Sequence, residues 1–173
     1  MSKAQESGRI LGSLGSRDGK GVVRLQDRFE RGIGEVWSAL TEHARLAVWY
    51  GEVEGELRLG GEYHARLFAS GWEGTGRIEA CRPPNRLLVV TKDADGSEEQ
   101  LIEITLSGDD ENTLLVWEER GMPVELVAAY GAGVQVHVED LAAYLDGSGR
   151  CDAQARFEQL FPAYRELPTD SVG

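Results

Sequence analysis

The sequence predicts an α+β fold with a seven-stranded antiparallel sheet, two short helices after its first strand and one long C-terminal helix with a face to be covered, and three observations carry that prediction. Residues 123–145 place Leu126, Tyr130, Val134, His137 or Val138, Leu141 and Leu145 at three- and four-residue intervals, along one side of a helix about six turns long. Residues 52–120 break into six short β-compatible runs bounded by turn residues, the texture of an antiparallel meander. Ahead of that meander, Val36, Trp37, Leu40 and Ala44 carry a helical spacing interrupted near Thr41, which gives two short helices.

Taken in order, residues 1–8 read as a loose terminus. Residues 9–14 and 22–29 are β-compatible, and GSRDGKG between them supplies an Asp-Gly pair for a hairpin turn. Helices are expected over 34–40 and 42–47. The six runs that follow are 52–57, 61–68, 72–81, 86–92, 99–106 and 113–120, separated by LGG, ASG, RPPN, DADGS and SGDDEN. With one strand before them they make seven.

Pro123 suits a first helical turn, and Gly147 with Gly149 marks the end of the long helix. Gly131 and Gly133 inside it each cost about 1 kcal/mol relative to alanine, so either a neighbour, such as the concave face of the sheet, approaches closely there or the helix bends. Residues 152–164 form one more short helix with Ala153, Phe157, Leu160 and Phe161 on a common side, packed outside the sheet and stopped by Pro162. Nothing in the chain marks a second domain, so residues 9–168 are read as one domain, with 169–173 a loose end.

Composition narrows the function. No apolar run approaches the ~18 residues of a membrane span, and MSKAQESGRI lacks the apolar core of a secretory signal. A cytoplasmic protein is expected, with Cys81 and Cys151 as free thiols. The net charge of -12 repels phosphate backbones, so nucleic acid is not an expected partner. His43, His64 and His137 are far apart, neither cysteine sits in a ligand motif, and no glycine string has the residues that cradle phosphate. Neither a metal, nor a cofactor, nor a catalytic nucleophile is assigned.

Five strings resemble, in order, parts of one family. VWSALTEHARLAVWYG looks like its early helix pair, LRLGGEYHARL its glycine-led strand and GRIEACRPPNRLLVVT its strand, double-proline turn and strand; NTLLVWEERGMP resembles the last strand and YGAGVQVHVEDLAAYL the long helix. On these residues, spanning about 20–147, the chain resembles the START-like (helix-grip, SRPBCC) superfamily and within it the activator of Hsp90 ATPase family. The family often carries tryptophan after the second helical glycine, where this chain has Val134, and the smaller side chain enlarges the space beneath the helix.

The resemblance implies a helix-grip fold, in which a curved sheet wraps the long helix and leaves a cavity between them. Period-two alternation then selects the inward side chains: Tyr63, Ala65 and Leu67; Trp72, Gly74, Gly76 and Ile78; Leu87, Val89 and Thr91; Ile102, Ile104 and Leu106; Leu115, Trp117 and Glu119. With Trp49, Tyr130, Val134, His137 and Leu141 they define an apolar, aromatic candidate lining. Glu119 is either a buried carboxylate with a raised pKa or part of a solvated strand end with Glu118 and Arg120. His137 is either a ligand donor or a satisfied edge residue, and His64 points outward.

Three functions follow. The first is holding a small, largely hydrophobic molecule, aromatic or lipid-like, without chemistry. The second is a cyclase- or hydrolase-type enzyme using Glu119, His137 or Tyr63 as acid or base. The third, from the family name, is a regulatory module for a chaperone-like ATPase or another protein, as monomer or homodimer.

Overall fold

Asp18 and Gly19 both adopt positive φ, 54° and 80°, and so close a two-residue hairpin turn whose twist matches its strands. The turn is tighter than the seven-residue string suggests. Strands β1 (Gly12–Arg17) and β2 (Lys20–Phe29) therefore run right up to it. The structure, a computed structural model, describes residues 9–96 and 98–171.

Helices α1 (Ile33–Thr41) and α2 (His43–Trp49) follow, divided at Glu42, whose backbone is extended. Val36, Ala39, Leu40, Leu46 and Trp49 form their buried side. The meander then runs β3 (Gly51–Gly55), β4 (Glu62–Leu67), β5 (Glu73–Arg82), β6 (Arg86–Asp93), β7 (Glu99–Gly108) and β8 (Thr113–Pro123).

These strands form one sheet in the order β3-β4-β5-β6-β7-β8-β2-β1, with a last strand β9 (Thr169–Ser171) beside β1. The helix-grip arrangement is the one expected, but among the described residues nine strands replace seven. The first hairpin supplies two strands where one was counted. The other addition is β9, which pairs parallel to β1 through Leu14↔Thr169, Gly15↔Asp170 and Ser16↔Ser171. Its three residues are exposed and carry no apolar pattern, so only the backbone groups of the β1 edge recruit them. Residues 169–171 are thus ordered against the sheet rather than loose, while 1–8 and 172–173 lie outside the described residues.

Strand β8 is longer than the sequence suggests. Pairing with β2 continues through Gly21↔Met122 and Lys20↔Pro123. Pro123 therefore ends a strand instead of opening a helix. A 3-10 turn, Val124–Leu126, intervenes, and helix α3 (Val127–Leu145) starts only after it. Leu126, which its spacing assigned to the covered face, sits in that turn and is 46% exposed.

Helix α3 lies against the sheet on one side and against α4 (Ala153–Arg165) on another. Its middle is accordingly buried almost all round: Gly131, Ala132 and Val134 through Val138 are all buried. Gln135 carries this double contact. Its Oε1 accepts from the Leu11 backbone N–H at 3.0 Å and the Tyr164 hydroxyl at 2.6 Å, while its Nε2 donates to the Arg9 carbonyl at 2.7 Å. Arg156 on α4 also donates to Glu139 on α3 at 2.7 Å.

The two helical glycines differ. A Cβ on Gly131 would lie 2.7 Å from the Tyr164 ring, whereas nothing stands within 4 Å of one on Gly133. The close neighbours of Gly131 are Tyr164 of α4 and Leu14 of β1, so the small residue admits the second helix as well as the sheet.

Two stability predictions follow from this packing. Leu141 is fully buried, and Leu141→Ala is expected to cost about 2–5 kcal/mol in urea denaturation. Gly133→Ala is expected to gain up to ~1 kcal/mol from helix propensity. Gly131→Ala, with the same propensity change, is expected to lose about 1–3 kcal/mol because the ring of Tyr164 must move. Equal effects at the two glycines would contradict the packing described.

Candidate functional site

Between the concave face of the sheet and α3 the structure leaves a cavity of about 640 Å³. Backbone glycines shape its aromatic wall. A Cβ on Gly76 would collide with the Tyr63 ring, and one on Gly74 with the Trp72 indole, so the two glycines of β5 let these rings lie flat across the strand. Trp72 is fixed further by donating from Nε1 to Asp93 Oδ1 at 2.7 Å.

Of the residues singled out from the sequence, Tyr63, Leu67, Trp72, Glu119, Tyr130, Val134 and His137 line this space, together with Ala65, Thr91 and Ile102 of the inward set. Others do not. Trp49 turns into the core and donates to the Ala39 carbonyl at 2.9 Å, so its neighbour Tyr50 faces the cavity instead. Leu87 and Val89 pack with Ile78 in a separate small cluster that Trp37 partly covers. Ile104, Trp117 and Leu141 belong to the main core. Alternation identifies the inward face of a strand; where along that face the helices press down is a matter of packing.

Three contributors were missed. Tyr50 follows the last turn of α2, and the Trp49-Tyr50 pair was the only signal for it. Gln100, near the start of β7 and not named among the inward residues, donates to the Tyr130 hydroxyl at 3.1 Å. Phe157 reaches the cavity with Ala153 and Gln154 from α4, a helix expected only to pack outside the sheet. Gln154 and the loop residues Ser70 and Gly71 are exposed and form the mouth.

The inner end is polar. Strand β8 continues past Glu119, and the outward neighbours Glu118 and Arg120 pair with each other at 2.7 Å on the far face of the sheet. Glu119 is therefore no frayed end. It sits deep in the molecule, yet its side chain keeps some accessible surface because it borders the cavity. Its Oε2 accepts from Trp117 Nε1 at 3.0 Å. Loss of hydration raises its pKa to about 7, and the indole hydrogen bond offsets only part of that.

His137 lines the same cavity with its ring edge-on to Tyr50, centroids 5.0 Å apart, and parallel to Trp117 at 6.4 Å. Burial lowers its pKa to about 4, so the imidazole is neutral, and its Nδ1 has no hydrogen-bond partner. Desolvation, with Glu119 nearby, also raises the Tyr50 and Tyr63 hydroxyls. His64 points away and meets Glu73 at 2.9 Å on the exposed face. Among the described residues no group of three His, Cys, Asp or Glu side chains is placed to hold a metal.

With this geometry established, the sequence model for activator of Hsp90 ATPase homolog 1-like protein matches residues 32–146. The chain belongs to that family. Helix α4, which supplies one wall of the cavity, lies outside the matched span. No curated protein sequence matches the chain. Among solved structures, CalU16 from Micromonospora echinospora is 26% identical with a TM-score of 0.75, covering 90% of this chain and 96% of its own. DynU16, from the dynemicin biosynthetic locus, is 29% identical with a TM-score of 0.68; the match covers 76% of this chain and 50% of DynU16. EF2215 from Enterococcus faecalis, at 18% identity and a TM-score of 0.71, shares the fold over 93% of this chain and 92% of its own.

The raised carboxyl and the depressed imidazole act on stability in opposite directions. Glu119 ionises near 4.5 unfolded and about 7 folded, so the folded state holds an extra proton between those values. Stability from this group falls as pH rises through that window, and the cost is complete above pH 7. His137 refuses below 6.5 a proton that the unfolded chain accepts, so its cost grows as pH falls toward 4. Glu119→Gln, neutral and of the same shape, should gain on the order of 1–3 kcal/mol over the parent at pH 8, the lower end reflecting solvent in the cavity. At pH 4.5 the gain should vanish, and urea titrations of both proteins at the two pH values check it.

Proposed function

We propose that this family member binds a small, largely hydrophobic, ring-containing molecule in the cavity between sheet and α3. The observation that carries the reading is the cavity itself: about 640 Å³, walled by Tyr50, Tyr63, Trp72, Tyr130 and Phe157 with aliphatic side chains between them. Flat rings offer large contact area to a flat ligand and geometry that favours offset or edge-on stacking. The likeness to DynU16 and CalU16 supports it at the level of the fold, and DynU16 is a protein of the dynemicin biosynthetic locus. The binding site is read as Tyr50, Tyr63, Leu67, Trp72, Glu119, Tyr130, Val134 and His137, working in the cytoplasm.

Glu119 favours a second reading, acid–base chemistry on the bound molecule. A carboxyl with its pKa near 7 exchanges a proton at neutral pH, and the neutral imidazole of His137 lines the same cavity. Glu119→Gln tests this reading, since turnover of a bound substrate by the parent should be abolished in the variant. The regulatory-module reading gains no feature of its own here; the exposed large apolar residues Val48, Leu59 and Leu126 lie on three different segments.

Val134 borders the cavity and is 3% exposed. Val134→Trp is expected to fill the space below α3 and weaken ligand binding more than tenfold, leaving the circular dichroism spectrum unchanged. Native mass spectrometry of both purified proteins, beside organic extracts of the same samples, checks it: a small molecule retained by the parent should be missing from the variant. Equal retention would mean the molecule sits elsewhere.

A further inference from the structure

We infer that the molecule held in this cavity carries one basic nitrogen on its apolar, ring-containing body, and that the carboxylate of Glu119 anchors the resulting ammonium group. This rests on the cavity reading above and narrows it to a chemical class.

The charge inventory of the lining comes first. Among the described residues that border the cavity, no lysine or arginine occurs, and Glu119 is the one carboxylate. Every other titratable group facing it is uncharged at neutral pH. These are Tyr50 after α2, Tyr63 on β4 and His137 on α3, with the indole of Trp117 on its own strand. An acidic ligand, such as a fatty acid or an aromatic carboxylate, would bring a second negative charge to an inner end with no counter-ion. A cation meets the opposite situation.

Hydrogen bonding points the same way. An ionised carboxylate offers about four lone-pair sites, and the described residues supply Glu119 with one donor, the Trp117 indole. An ammonium group brings up to three N–H donors, and charge-assisted bonds are about twice as strong as neutral ones. The tyrosine rings add faces that attract cations. The surroundings match at long range too, because a net charge of -12 draws cations toward the mouth and repels anions. A neutral ligand could donate to the carboxylate but would use neither its charge nor the cation-attracting ring faces.

The test uses three probes sharing one fluorescent ring system: 1-pyrenemethylamine, 1-pyrenemethanol and 1-pyrenecarboxylate, titrated into the full-length protein. At pH 8 the amine is expected to bind at least tenfold more tightly than the alcohol, and the carboxylate more weakly than either. As pH falls from 8 to 5 the ammonium must displace a proton from Glu119, so its affinity should drop at least tenfold, toward that of the alcohol, which stays level. Glu119→Gln should bring the amine down to the affinity of the alcohol and remove the pH dependence.

An amine that binds no better than the alcohol at pH 8, a carboxylate that binds best, or a preference that survives Glu119→Gln would each overturn the inference while leaving the cavity reading in place. Failure of all three probes to bind would overturn both.

Discussion

The structure depends on covering α3 from two directions at once. Val134, Val136, His137, Val138 and Leu141 are buried in one helix, and burying such side chains is worth about 1.5–3 kcal/mol each for the larger apolar ones. A sheet can cover one side of a helix only. The chain solves this by curving the sheet around one flank and laying α4 along another, with Gly131 small enough for Tyr164 to reach the helix backbone. Gln135 then satisfies at the centre of this contact the backbone groups of residues 9 and 11.

The same constraint produces the cavity. Where α4, α1 and α2 press against α3 or the sheet, the side chains close up, and Trp49, Trp117 and Leu141 are core. Near Gly133 no neighbour comes close, and Val134 is too small to fill the opening. The vacant space and the small helix residues are two descriptions of one packing outcome. Glu119 borders that space, so its carboxyl loses hydration without gaining a cationic partner, and this is the physical origin of its pKa near 7.

Much of the site was legible in alternation. Tyr63, Leu67 and Glu119 were placed on the inward face from period two alone, and Val134 and His137 from helical spacing; all five border the cavity. Leu87, Val89 and Ile104 share that inward face yet serve the core, because period two carries no information about position along a strand. Tyr50 and Phe157 were invisible for a related reason. One sits just past a helix end, and the other on a helix whose partner could not be read from its own periodicity.

By itself the sequence determined the class of fold, the order of its main elements and the faces that turn inward, because each is written in local propensity and short-range spacing; the family came from the resemblance of five strings. It did not contain the ninth strand, which exists because a free β1 edge accepts three residues with no apolar pattern. It left open whether Glu119 was solvated or buried. Only the tertiary structure decided that, by extending β8 past Glu119 to Pro123 and sending Glu118 and Arg120 to the opposite face, since the environment of a charge is set by residues distant in the chain.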